Sequence, residues 1–314
     1  MAPEPTEPYV APWWLPGGHV QTIAGVLAPA PRVAWRRERW DTPDGDFIDL
    51  DWAEPRAGTA DHAAPLLAVF HGLEGSSSSP YARSIAAAAL ALGWRCVVPH
   101  FRGCSGEPNR LPRAYHSGDS DEIRWVLERL GATHAAGISL GGNALLKHLG
   151  EAGDAARVRR AAAISAPLDL AAAGNKLDAG LCRLIYTRHF LVTLKKKTYR
   201  KLRDRVIRID ESRLARARTF REFDDAVTAP LHGFAGADDY WTRSSSGPWL
   251  PKVRVPTLVL NARNDPFLPA QALERVRKEA PNVVLEFPET GGHAGFPGRN
   301  RWLARRVLAF LAGS

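Results

Sequence analysis

The chain has 314 residues, 45% hydrophobic and 24% charged, with a formal net charge of +9. That apolar content excludes a disordered chain and is enough for a sizeable core. The most apolar run, 85–94, is mostly alanine and about half the length of a membrane-spanning helix. In chain order, 47–52 alternates in and out as an edge strand would, and 65–70 (PLLAVF) is a continuous apolar run that reads as a buried strand ending at the turn residues His71 and Gly72. A helix over 81–92 and a strand over 95–98 follow. Residues 119–130 place Ile123, Val126, Leu127 and Leu130 on one helix face, with Asp121 and Glu122 in the first turn, where the helix dipole favours them. Then come a strand at 132–138, a helix at 141–149 and a strand at 161–165. After a gap from 167 to 255 the pattern resumes with a strand at 256–261, a helix from Gln271, a strand at 282–287 and a last helix at 301–311.

This alternation predicts an α/β fold with a mostly parallel central sheet flanked by helices. The gap is too long for one crossover, so the expected organisation is a single domain over 1–314 with a helical lid insertion at 169–248. The insertion carries the charge. Between Arg183 and Arg221 stand fourteen Lys or Arg against three acids, which leaves the rest of the chain close to neutral. Apolar residues interleave with these cations, as in amphipathic helices with a basic outer face. A solvated face is the plain reading of 183–221, and an anionic membrane surface is the second. No helix-turn-helix, RNP or zinc-finger pattern accompanies the charge, so no nucleic-acid partner is expected.

Residues 1–16 are acidic and proline-rich, with neither the basic nor the apolar region of a secretory signal. Cys96, Cys104 and Cys182 show no CxxC or Cys/His ligand spacing, and the histidines share no ligand spacing either. No disulfide framework, metal or cofactor is expected, and the cysteine usage suits a reducing cytoplasm.

Chemistry concentrates in Gly137-Ile138-Ser139-Leu140-Gly141, a G-x-S-x-G between a predicted strand and a predicted helix. A serine hydroxyl is a weak nucleophile unless it stands exposed on a tight turn beside a base, and the flanking glycines leave room for that turn. The pattern alone is common, and a Gly-rich loop with a capping serine would also produce it. Asp265 follows, past the end of the 256–261 strand. His293 comes next, in the glycine-rich loop Gly291–Gly295 after the following strand. Alone, Asp265 suits an Asx-turn before Pro266 and His293 a surface position. Together, the order Ser, Asp, His at successive strand ends is that of a serine-hydrolase triad. Backbone N–H groups of Leu140 and Leu73 are the candidate oxyanion donors, with His71 and Glu74 ordering the Leu73 loop. The 102–107 loop is expected near the site, where Cys104 packs.

With these residues in view, the sequence resembles the YheT-like hydrolases of bacteria and their eukaryotic relatives among the abhydrolase-domain lipases. The matching segments are 16–23 (PGGHVQTI), 71–76 (HGLEGS) with Ser79-Pro80-Tyr81, 102–109 (RGCSGEPN), 115–119 (YHSGD), 137–143 (GISLGGN), 223–234 (FDDAVTAPLHGF) and 264–267 (NDPF). The resemblance implies an α/β-hydrolase fold, a triad at Ser139, Asp265 and His293, and hydrolysis of carboxylic, lipid-like esters. Asn264 departs from the family, where an aspartate is frequent beside the acid. Acyl transfer to an alcohol would start from the same acyl-enzyme and remains an alternative. A non-catalytic module docking through the basic insertion is the alternative from another class.

Overall fold

The computed structural model describes residues 7–54, 63–277 and 283–313. Residues 1–6 of the acidic N-terminal stretch and Asn282, at the start of the last predicted strand, lie outside them. The first element is α1 (Gly17–Leu27), followed by β1 (Trp35–Asp41), β2 (Phe47–Ala53), β3 (Leu66–Phe70), α2 (Pro80–Ala91), β4 (Arg95–Pro99), α3 (Ser120–Leu130), β5 (His134–Ile138), α4 (Leu140–Ala152) and β6 (Arg160–Ile164). The sheet resumes after residue 255 with β7 (Thr257–Leu260), and α12 (Ala270–Arg277), β8 (Val283–Glu286) and α13 (Trp302–Ala312) complete the chain.

Between β6 and β7 the chain is helical. It runs through α5 (Leu170–Leu177), α6 (Gly180–Cys182), a π-turn at Arg183–Thr187, α7 (Arg188–Arg203), α8 (Glu211–Arg216), α9 (Phe220–Phe223), α10 (Ala229–His232) and α11 (Ala237–Ser244). Residues 182, 183, 187 and 188 keep right-handed helical angles, so α6, the π-turn and α7 form one continuous helix.

Eight strands form one sheet in the order β1-β2-β4-β3-β5-β6-β7-β8. All pairs from β4 to β8 are parallel, while β1–β2 and β2–β4 are antiparallel. The central strands are buried from end to end, as a sheet covered on both faces requires. One face packs against Ile123 and Val126 of α3 and Leu145, Leu146 and Leu149 of α4. The other packs against the alanine-rich side of α2 and against Val307 and Leu308 of α13.

The structure corrects the edge assignment of 47–52. β2 lies inside the sheet, and the edge is β1, whose polar sequence WRRERWD carries no strong strand pattern. The alternation in β2 arises because Asp49 and Asp51 point into a buried polar seam. Arg39 and Arg37 of β1 close it with two-pronged ion pairs to Asp49 and Asp51. Against the penalty of burial, these pairs, with Ser77 and His100 on Asp51, hold both carboxyls below the usual range.

Arg102, after β4, plays a comparable part. Its guanidinium meets Glu122 of α3 at 2.5 Å and Asp46 at 3.1 Å, and all three side chains are buried. Replacing Arg102 by methionine strands those carboxylates, so the free energy of unfolding in urea should fall by about 3–5 kcal/mol. A change within error of zero would contradict the ionic role.

Candidate active site

Ser139 sits between the end of β5 and the start of α4 with φ 53° and ψ −118°, a region non-glycine residues rarely enter. The turn holds because its N–H donates to the Ile164 carbonyl (2.8 Å) and its own carbonyl accepts from Asn143 (3.0 Å). The flanking glycines are required by space. A Cβ on Gly137 would lie 2.5 Å from the Gly141 carbonyl oxygen, and one on Gly141 would lie 2.5 Å from that of His71. The consequence is a half-buried hydroxyl standing clear of the sheet.

The Ser139 hydroxyl donates to His293 Nε2 at 2.9 Å, and His293 Nδ1–H donates to Asp265 Oδ2 at 2.8 Å. Asp265 is buried, and its second oxygen accepts the Phe267 N–H at 2.7 Å, which fixes the carboxylate plane. The Phe267 ring stacks on the imidazole at 3.9 Å between centroids. Three side chains 154 and 28 positions apart along the chain thus form one hydrogen-bonded line.

Leu140 is the first residue of α4, so its N–H faces outward from the helix start beside Ser139. The Leu73 loop abuts the same serine, since a Cβ on Gly72 would lie 3.2 Å from the Ser139 Cβ. Its other N–H groups are occupied: Gly72 donates to the Tyr81 hydroxyl, Glu74 to the Tyr115 hydroxyl and Gly75 to the Gly72 carbonyl. The Leu73 N–H has no acceptor among the described residues. His71 is fully buried, which pushes its pKa down to about 3, and the neutral ring pins the loop by donating to Gly72 O and accepting from Phe101 N–H. Glu74 accepts from Tyr115 Oη at 2.7 Å and from Lys197 Nζ of α7 at 2.7 Å, joining this loop to the helical insertion.

Helix α1 supplies what the sequence reading did not identify. Gln21 and Thr22 are buried polar residues on that helix. Gln21 Oε1 accepts from Gly291 N–H (2.8 Å) and from the Asn264 amide (2.9 Å), while Gln21 Nε2 donates to Leu15 O. Thr22 Oγ1 accepts the His293 N–H at 2.8 Å. Asn264 passes the link on by accepting from Gly292 N–H, so at this position one amide both donates and accepts, which an ionised aspartate does not do. The helix approaches these loops closely: a Cβ on Gly25 would overlap Gly295 and one on Gly18 would overlap the Asn264 carbonyl. Segment 16–23 carried the sequence signal, but only as part of the resemblance.

Above Ser139 opens a cavity of about 960 Å³ whose wall includes Leu73, Leu140, His293 and the 102–107 loop. Leu170, Leu177, Phe190, Leu194, Phe220 and Leu231 give the helical side of the wall its apolar character. Cys104 is in the wall, with burial pushing its thiol up to about 11. The basic segment is not uniformly solvated. Lys201 is buried, donates to the carbonyls of Leu111 and Arg113, and is pulled down to about 8 by desolvation. Among the described residues no group of three or more His, Cys, Asp or Glu is placed to hold a metal ion.

Residues 65–298 match the alpha/beta hydrolase fold family. The chain is 42% identical over 287 residues to YheT of Escherichia coli (strain K12), covering 87% of this chain and 84% of that one. It is 32% identical over 306 residues to phospholipase ABHD3 of Homo sapiens, covering 94% and 75%. Among solved structures it resembles the Pyrococcus furiosus esterase Pf2001, with a TM-score of 0.55 and 15% identity over 89% and 92% of the two chains; that likeness concerns the fold.

Replacing Gln21 by leucine keeps the volume but leaves the Gly291 N–H, the Asn264 amide and the Leu15 carbonyl without their partner. Unfolding free energy should drop by at least about 2 kcal/mol in chemical denaturation. Unchanged stability would show that the helix does not hold these loops.

Proposed function

Because the chain belongs to the alpha/beta hydrolase fold family, we propose that it hydrolyses carboxylic esters of apolar acyl chains through an acyl-enzyme on Ser139. The observation that carries this reading is the Ser139–His293–Asp265 line of hydrogen bonds opening onto an apolar cavity. The relative named a phospholipase supports an ester substrate.

In the first half-reaction Ser139 Oγ attacks the acyl carbon while its proton passes to His293 Nε2. Asp265 stabilises the imidazolium through Nδ1 and keeps the ring in the tautomer that accepts at Nε2. The negative oxygen of the tetrahedral intermediate takes the Leu140 and Leu73 N–H groups, helped by the positive end of α4. His293 then gives its proton to the leaving alkoxide. In the second half-reaction His293 removes a proton from water, the hydroxide attacks the acyl carbon, and Ser139 leaves with the proton returned from His293.

Helices α5–α11 act as a lid, and their apolar side chains receive the acyl chain. Lys197 ties that lid to the donor loop through Glu74, so Tyr115 and Glu74 act as positioning residues for the Leu73 N–H.

Fluorophosphonate should label the protein, and Ser139→Ala should abolish both labelling and p-nitrophenyl butyrate hydrolysis; retained turnover would refute the assignment. Asp265→Asn should lower kcat by roughly 10⁴-fold. Along the p-nitrophenyl series from acetate to hexanoate, kcat/KM should rise about four-fold per methylene if each is buried in the cavity. A flat series would remove the acyl-pocket role. Tyr115→Phe should lower kcat by up to about 10²-fold with KM little changed, as expected for a misaligned donor rather than a lost binding contact.

A further inference from the structure

The outer rim of the cavity mouth is apolar and basic on two adjoining elements. Helix α1 and the continuous 180–203 helix touch there: His19 Nδ1 lies 3.1 Å from the Tyr186 hydroxyl, and the two rings stack. Trp13 and Trp14, just before α1, and Val26 and Leu27 on it are each more than half exposed, and on the second helix Leu181, Leu184 and Val192 are too. Scattered exposed apolar residues need no explanation, but their concentration on two touching helices and the turn before the first does. The exposed surface is also continuous with the site, because Ile23, Val26, Leu27 and Ile185 are at once exposed and part of the cavity wall.

Charge narrows the choice of occupant. Residues 8–35 and 180–203 contain no Asp or Glu, while the second stretch holds eight Lys or Arg. Lys197 and Lys201 of these turn inward. Arg183, Arg188 and Lys196 are exposed and close no salt bridge among the described residues, Arg183 acting on Asp178 and Glu222 only at longer range. A second copy of this chain seated face to face would set these cations against one another. Tryptophans and aliphatic side chains flanked by exposed cations instead match the boundary of a bilayer whose headgroups are anionic.

We propose that this face docks on an anionic phospholipid bilayer, with Trp13, Trp14, Val26, Leu27, Leu184 and Val192 entering the headgroup boundary and Arg183, Arg188 and Lys196 meeting phosphates. Docking turns the cavity mouth toward the hydrocarbon, so an apolar chain leaves the bilayer and enters the cavity without crossing water. The inference goes beyond the ester chemistry and is independent of it.

The test is co-sedimentation of the full chain carrying Ser139→Ala, which leaves lipid intact, with vesicles of phosphatidylcholine alone or mixed with phosphatidylglycerol. Binding to the mixed vesicles at low salt is expected, weaker binding to phosphatidylcholine alone, and loss as salt is raised. Arg183→Gln with Arg188→Gln should weaken binding to mixed vesicles by roughly twenty-five-fold, at about five-fold per cation removed. Leu184→Glu with Val192→Glu should weaken it at least about ten-fold. In the Ser139 parent, this last pair should leave melting temperature and p-nitrophenyl butyrate turnover unchanged, because neither residue reaches the cavity. Absence of binding to mixed vesicles at low salt overturns the proposal, as does binding indifferent to both pairs. So does a concentration-dependent dimer that Leu184→Glu with Val192→Glu dissociates, which would assign the face to a second copy. Failure of the ester chemistry is separate: it would appear as an inactive Ser139 parent that still sediments with vesicles.

Discussion

The backbone at Ser139, held at φ 53° where β5 passes into α4, is the constraint on which the site depends. A non-glycine residue in such a conformation costs of order 1–3 kcal/mol and persists only where its surroundings leave no alternative. Here those surroundings are the fully buried β5 on one side and the buried face of α4 on the other, with glycines wherever the two chains pass too closely for a Cβ. The stability of the sheet is thereby converted into the exposure of one hydroxyl.

The partners of that hydroxyl come from loops after peripheral strands, and loops do not position side chains by themselves. Asp265 follows β7 and His293 follows β8. Both loops rest on α1, which precedes the sheet in sequence and whose two buried polar side chains take up their N–H and amide groups. A buried backbone N–H without a partner costs about as much as a lost hydrogen bond, so Gln21 and Thr22 give those loops a single favourable position. The N-terminal helix thus supports the C-terminal part of the site.

The helical insertion is attached to the same machinery by charge. Lys197 reaches down to Glu74, Glu74 shares a hydrogen-bonded ring with the Tyr115 hydroxyl, and that hydroxyl holds the N–H next to Leu73. A displacement of α7 would therefore be felt at the loop beside Ser139. The cations that do not turn inward remain on the outer surface, so one basic segment serves two environments.

Much of the architecture was legible locally. Continuous apolar runs of four to six residues read as buried strands, 3.6-residue periodicity read as helices, and the G-x-S-x-G pattern with later Asp265 and His293 marked the three side chains that the fold joins. Strand β1 and helix α1 were missed because the first is an edge strand of charged residues and the second opens on two glycines with no capping side chain. The interior position of β2 was missed because its carboxylates look solvent-facing until the β1 arginines are set against them. Sequence by itself determined what depends on neighbours a few positions apart: the periodicities, the strained turn and the residue types able to exchange a proton. Only the tertiary structure decided which distant residues meet, such as Gln21 with Gly291 and Glu74 with Lys197, because a hydrogen bond across more than a hundred residues leaves no periodic trace in the chain that makes it.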